Sequence, residues 1–313
     1  MRDPAAVRRA VDALVARELL WCPDLVVDAG AGGIGVFARR GFEAGEVMAR
    51  APRTLVRRDA DVNAALADGA WDAVTAEYLA TLPDRDEMAA THPAAHAPGR
   101  AAGVRGLFRA GAPPDLWQHV VRWTEQQAAA APLARYRNLL RTSRGWPQGF
   151  LPFFDLVNHA ADTAPPARVR VEDEGVWLLA ETAIAPGDEV LHQYTVMDNF
   201  SFYLSYGIQT FDCDGTRLPL NLRLPDGGVS DCDIFWNRQA LWLPDAALAA
   251  CPAPDLRHKV YQLVGASLAA MDMDAVESAM AAGDPPGVPE AAAGLAAAAR
   301  CLVTIAHRLR PWS

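Results

Sequence analysis

Strand-forming sequence in this chain comes in two groups of short runs separated by residues 56–145, and that spacing decides most of what the chain can fold into. Val36–Ala38 and Val47–Ala49 precede the gap, joined by the turn-like Glu43-Ala44-Gly45-Glu46. After it, 149–159 reads as an apolar, strand-like run, and strand patterns recur at 168–172, 176–180 and 189–194, with Pro186-Gly187-Asp188 turning between the last two. Strands this short, so seldom alternated with helices, do not make a doubly wound sheet.

The intervening pattern is helical over 62–82 and 115–141. Asp115 caps the second stretch behind Pro113-Pro114, Leu116, Val120, Val121 and Trp123 begin its apolar face, and Pro132 breaks or kinks it. Residues 84–114, rich in Ala, Pro, Gly and His, read as loop. An amphipathic helix over 5–20 carries Val7, Val11, Leu14 and Leu19 on one face. Residues 199–207 form a short helix ending at Gly207, and alternating Leu218, Leu220, Leu222 and Leu224 form a half-buried strand closed by Asp226-Gly227-Gly228. The stretch 233–310 is mostly helical, broken near 252–254 and 285–289. The expected class is α+β, in four parts. Residues 1–55 hold the N-terminal helix and the first part of a β core, and 56–145 a helical insert. Residues 146–210 hold the second part of the core, and 211–313 a mainly helical C-terminal domain.

Composition narrows the function classes. The 313 residues are 51% hydrophobic and 21% charged, enough for a full core. A net charge of -9 argues against nucleic-acid binding, which needs clustered Lys and Arg. Lys259 is the sole lysine, and nothing functional is read in that bias. Cysteines at 22, 213, 232, 251 and 301 form no close pair, so neither a disulfide framework nor a zinc knuckle is indicated. With no signal peptide and no membrane-length apolar run, a cytoplasmic protein with reduced thiols is expected, without membrane contact. No metal is expected. Asp212-Cys213-Asp214 and Asp231-Cys232-Asp233 read as solvated loop carboxylates, and prolines 93 and 98 forbid a helical pairing of His92 with His96. Phe235, Trp236 and Trp242 read as aromatics that pack helices.

Three constellations could carry chemistry. Gly33-Ile34-Gly35 lets backbone approach a ligand closely, although alone it reads as an ordinary tight turn; without a third glycine and a following helix it is no dinucleotide fingerprint. Pro152-Phe153-Phe154-Asp155-Leu156-Val157-Asn158-His159 ends an apolar run in Asn-His, either a satisfied core pair or a polar grip on a ligand. His192-Gln193-Tyr194, Asp198-Asn199 and Tyr206-Gly207 place two tyrosines across a short helix, where core aromatics are the plain alternative.

Taken in order and spacing, these motifs resemble the SET-domain methyltransferases. The likeness is to the subfamily with a helical insert and a helical C-terminal domain, which contains the plant Rubisco large-subunit and actin-histidine methyltransferases. The resemblance covers roughly 25–225. It implies a SET β core of short strands with a pseudoknot-like crossing, and S-adenosyl-L-methionine as cofactor. It implies cofactor contacts from Gly33, Ile34, Gly35, Arg144 of Ser143-Arg144, Asp155, Asn158 and His159. Glu181–Val190 matches the stretch leading to the catalytic tyrosine, Tyr194, which also faces the cofactor. Tyr206 shapes the acceptor channel as a second catalytic-site tyrosine. Departures concern the acceptor. Thr195 and Asp198 replace a glycine and a serine, Gly32 replaces an acidic residue, Ile208 replaces a phenylalanine, and Ala160–Val171 lacks the further tyrosine of a lysine pocket. The implied activity is N-methylation of a protein side chain, lysine or histidine. The alternatives are a peptide or small-molecule nitrogen nucleophile, or a non-catalytic SET-fold binding module. The acceptor and the oligomeric state stay open.

Overall fold

The computed structural model describes residues 3–30, 33–69, 72–92, 123, 125–160, 165–194, 199–207, 215–223, 229–237, 241–242, 253–282 and 288–309. The chain divides into two compact units, Met1–Met88 with Tyr136–Tyr194, and Ala89–Arg135 with Thr195–Ser313. Each gathers segments distant in sequence.

The first unit opens with the helix Pro4–Ala16, shorter than its apolar pattern. Asp3 caps it, accepting from the Ala5 N–H at 2.9 Å, and Val7, Ala10, Val11 and Leu14 form the buried stripe. Glu18 takes a positive φ of 58° and turns the chain before Leu19 can join the helix. Two strands follow as an antiparallel pair, β1 (Leu25–Gly30) and β2 (Gly33–Ala38). The expected helical stretch 62–82 is two helices, Asp59–Asp68 and Ala73–Thr81. Gly69 ends the first with φ 67°, a left-handed cap that a side chain would strain. Arg85–Thr91 is helical where a loop was expected, and Pro132 starts the helix Pro132–Arg144, the first-turn position where its missing N–H costs nothing. Most of 115–124 and all of 93–114 lie outside the described residues.

The central sheet has five strands in the order β3 (Val47–Pro52), β8 (Gly175–Ala180), β7 (Ala167–Val171), β9 (Leu191–His192), β6 (Asn158–His159). A small pair, β4 (Gly145–Trp146) with β5 (Gly149–Phe150), stands beside it. The apolar run 149–159 is therefore not one strand. Pro152 and a left-handed Phe153 (φ 75°) break it into β5, a helical turn Phe154–Leu156 and β6. That backbone conformation is uncommon for a non-glycine and is tolerated because Phe153 is fixed in the core at 1% exposure. Val36, Leu178, Phe154, Val157 and Val190 are fully buried in the same core. Each such side chain stabilises the fold by roughly 1.5–3 kcal/mol.

In the second unit, Asn199–Tyr206 is helical as expected. The strand over 218–224 is longer than its leucine pattern, Gly215–Arg223 (β10), and pairs antiparallel with β11 (Val229–Asn237), which pairs with β12 (Leu241–Trp242). The helical tail thus begins later than 233. Phe235, Trp236 and Trp242 are strand residues, Phe235 opposite Trp242 in register. Asp231-Cys232-Asp233 lies in β11 and not in a loop, whereas Asp212-Cys213-Asp214 is outside the described residues. Helices Ala253–Ala270, Met273–Ala282 and Val288–Leu309 complete the unit. Among the described residues no helix is long and apolar enough to cross a membrane, and no group of His, Cys, Asp and Glu is placed to hold a metal.

Candidate active site

One segment of the first unit, 187–194, runs between the two motifs that the sequence keeps far apart. Its first half pairs with β2: the Gly187 N–H donates to the Ala38 carbonyl, Ala38 to Asp188, and Val190 to Val36 at 2.8 Å. Its second half pairs with β6, in parallel, Asn158 beside Leu191 and His159 beside His192. The Gly-x-Gly strand and the Asn-His strand are thereby locked to the same piece of chain, which ends at Tyr194.

Asn158 shows the consequence. Its side-chain nitrogen donates to the Ile34 carbonyl at 3.2 Å and to Glu189 Oε1 at 2.7 Å. Both partners are acceptors, so the amide's orientation is fixed by its neighbours. Gly35 lies under this pair. A Cβ there would come within 2.2 Å of Glu189 Oε1 and 2.9 Å of Asn158 Nδ2, so only glycine lets the carboxylate and amide lie against the strand. At Gly33, φ is +104° and a Cβ would meet nothing within 4 Å, so the other glycine faces open space and is needed for its backbone conformation.

The aromatic side is built from β6 and β9. The Tyr194 backbone N–H donates to His159 Nδ1 at 3.1 Å, and the Tyr194 ring lies 5.3 Å from the His159 ring and 4.9 Å from that of His192. His192 is 4% exposed and stacks on Trp146 at 5.2 Å. Burial pushes both imidazoles down to about 4, with the neighbouring His159 adding to the fall at His192 and a backbone hydrogen bond at Gln193 opposing it. Both are therefore neutral at pH 7.

Arg144 and Asp155 are bonded to one another beside the Asn-His motif. The Arg144 guanidinium donates to the Asp155 carbonyl, and the Asp155 carboxylate, 4% exposed, accepts from the Tyr78 hydroxyl at 2.5 Å. Burial and that carboxylate hold the Tyr78 phenol well above its ordinary value. Of the residues singled out in the sequence, the structure links Gly33, Ile34, Gly35, Asn158, His159 and Tyr194 through 187–194, and Arg144 is bonded to Asp155 in the turn that precedes the Asn-His strand. Tyr206 belongs to the second unit, where it stacks on Phe202 at 4.7 Å, its hydroxyl pushed up by burial. His92 is buried there with Nε2 2.9 Å from the Ser205 carbonyl. Gly32, Thr195, Asp198, Ile208 and His96 lie outside the described residues. Trp146 and Tyr78 escaped sequence reasoning, and His192 was named only within the run that leads to Tyr194. Their one signal is large, polar-tipped side chains in apolar runs, which the core also uses.

Residues 33–195 match the SET domain family. This chain belongs to that family. The SET fold, with its mixture of helices and short strands, is the α+β class that the motifs implied. Among solved structures, it resembles the SET domain of LSMT bound to lysine and AdoHcy. There the TM-score is 0.60 at 15% identity, over 97% of this chain and 91% of that one. It also resembles Rubisco LSMT bound to AdoMet, with a TM-score of 0.61 at 14% identity, over 97% and 91%. The same protein bound to sinefungin and monomethyllysine gives 0.59 at 14% identity, again over 97% and 91%. At such identities the likeness is one of fold. No curated protein matches the chain.

Proposed function

We propose that this SET-domain protein is an S-adenosyl-L-methionine-dependent N-methyltransferase acting on a protein side chain, lysine or histidine. The observation that carries the reading is the convergence of Gly33–Gly35, Asn158, His159 and Tyr194 through the single segment 187–194. The solved relatives of like fold hold AdoMet, AdoHcy or sinefungin, and two of the three hold lysine or monomethyllysine, which supports the cofactor and a nitrogen acceptor.

The residues suit such a group. A backbone carbonyl, an amide and a carboxylate meet over Gly35, a polar cradle for the amino-acid end of a nucleoside. The cofactor supplies a methyl group activated by a sulfonium. Ile34 and Asn158 hold, His159 fixes the backbone of Tyr194, and Arg144 and Asp155 keep the Asn-His strand in place. The Tyr194 hydroxyl and nearby carbonyls place oxygen lone pairs where positive charge spreads. Alignment of acceptor and methyl supplies several kcal/mol more. An amine acceptor must arrive deprotonated, so activity rises with pH. The absence of a tyrosine in Ala160–Val171 favours a second reading, a peptide or small-molecule acceptor.

The test is conversion of labelled cofactor to S-adenosylhomocysteine with candidate acceptors. Tyr194→Phe is expected to lose roughly 100-fold or more in turnover while keeping cofactor affinity. Asn158→Ala is expected to lose affinity by calorimetry. Near-normal turnover of Tyr194→Phe removes the phenol from the chemistry. A wild-type protein that binds cofactor yet turns over no acceptor leaves only a binding module.

A further inference from the structure

The charge balance around the Gly35 cradle leaves one carboxylate unaccounted for. Asp28 sits opposite Gly35 in register, but Arg8 holds it at 3.0 Å. Asp188 accepts from the Ala185 backbone, and Asp155 is occupied by Tyr78. Glu189 is half-buried, and among the described residues no arginine or histidine pairs with it. Its Oε1 accepts from Asn158, and its Oε2 would lie 3.3 Å from a Cβ on Gly30, so the carboxylate spans the space between the two glycines.

Tying down an amide does not call for a full negative charge, since a glutamine or a carbonyl would accept the same hydrogen. A half-buried carboxylate with no cation beside it carries a desolvation cost that a neutral acceptor avoids. A positively charged ligand at this place offsets that cost. Asn158 supplies an acceptor of its own. Both of its amide hydrogens are committed, to Ile34 and to Glu189, so its Oδ1 is presented as an acceptor. The Ile34 carbonyl accepts from Asn158 and keeps a second lone pair to offer. Three oxygens, one of them charged, are the acceptor set that the three N–H donors of an ammonium group take.

Resting on the cofactor reading above, we propose that Glu189 carries the counter-charge for the cofactor's ammonium group. It also positions Asn158, holding the amide so that Oδ1 faces the same ammonium. Glu189 is a binding and positioning residue and takes no part in methyl transfer.

The test compares wild type with Glu189→Gln, which keeps an acceptor for Asn158 and removes the charge. Calorimetric affinities are measured for S-adenosylmethionine, S-adenosylhomocysteine and 5′-methylthioadenosine. The first two carry the ammonium, and the third lacks the whole amino-acid end. The expected result is a loss of roughly tenfold or more for the two ammonium ligands, no change for methylthioadenosine, and an unchanged melting temperature. Glu189→Asp, which keeps the charge, should retain more of the ammonium-dependent affinity than Glu189→Gln; if the glutamine variant is poorly folded, Glu189→Asp against wild type still reads the role, since it should bind the ammonium ligands more tightly than methylthioadenosine, and no such preference would overturn it. An equal loss for all three ligands would make Glu189 a scaffold residue and overturn the assignment. A loss confined to S-adenosylmethionine would place the charge at the sulfonium and overturn it too. Wild-type binding with an indifferent Glu189→Gln contradicts this inference alone, whereas a wild-type protein that binds none of the three contradicts the cofactor reading itself.

Discussion

The two units of this chain are assembled in the same way and differ in what the assembly accomplishes. Each is made of two sequence segments, Met1–Met88 with Tyr136–Tyr194 in one case and Ala89–Arg135 with Thr195–Ser313 in the other. In the first, short strands from both segments pair with one another: β3 with β8, and 187–190 with β2. That pairing brings Gly35, Asn158 and Glu189 into contact across long stretches of chain. In the second, the sheet β10-β11-β12 is local in sequence, and the later helices follow one another. A site made of distant residues needs long-range contacts, and in the first unit strand pairing supplies them.

That contrast can be broken most forcefully by emptying each core. Phe154 in the first unit and Leu302 in the second are both 0% exposed. Phe154→Ala should lower stability by about 3–5 kcal/mol and Leu302→Ala by about 2–5 kcal/mol. Denaturant melts measure both costs. Phe154→Ala should also weaken cofactor binding, and Leu302→Ala should spare it in the folded protein. Equal loss of affinity in both variants would mean the cofactor site is not confined to the first unit.

The first unit should also be the acid-sensitive one. His192 titrates at about 4 in the folded protein against 6.5 in the unfolded chain, because burial opposes its charge. The unfolded state therefore binds the proton first as pH falls. The stability linked to this group is complete above about pH 6.5 and is lost progressively towards pH 4. The loss is about 3 kcal/mol at most, shared with the coupled His159. Urea melts across this range should show the slope, and His192→Phe, which can still stack on Trp146, should flatten it.

A smaller effect separates site from scaffold within the first unit. Gly35→Ala would push aside the flexible ends of Glu189 and Asn158, the first at 2.2 Å from the new methyl. Cofactor affinity should fall by roughly tenfold, or about 1.4 kcal/mol, with little change in melting temperature. Retained affinity would place the ligand elsewhere. The smallest effect belongs to Arg58, whose bond to Asp61 is on the surface with an 80% exposed guanidinium side chain. Arg58→Ala should change stability by less than about 0.5 kcal/mol, and a larger shift in the melt would show that surface pairs matter more here than their exposure implies.

The α+β class and the SET-like order of the motifs were legible in the sequence, while several individual elements were not. Gly33–Gly35, Asn158, His159 and Tyr194 were named through the resemblance of the motif order to SET domains, since each motif alone reads as an ordinary turn or core pair. The strand β1 escaped because Asp28, Ala29 and Gly30 are poor strand formers, and its stability comes from pairing with β2. The run through Phe153 looked like a strand, since apolar residues carry no sign of a left-handed φ. The helix Arg85–Thr91 has little apolar face of its own; among its described side chains Met88 is the deeply buried hydrophobe. β11 was hidden by Asp231 and Asp233, which strands usually avoid. The role of Glu189 was invisible for a different reason. Its partners are Asn158 and Gly35, and nothing in a local window reports a contact made across the fold.

The most direct test of the account is a crystal structure of the protein with S-adenosylhomocysteine. The prediction is one ligand in the first unit, its amino-acid end against Ile34 and Asn158 and its sulfur turned towards Tyr194. A ligand that touches Asn158 but not the Tyr194 side, or that sits in the second unit, would contradict it.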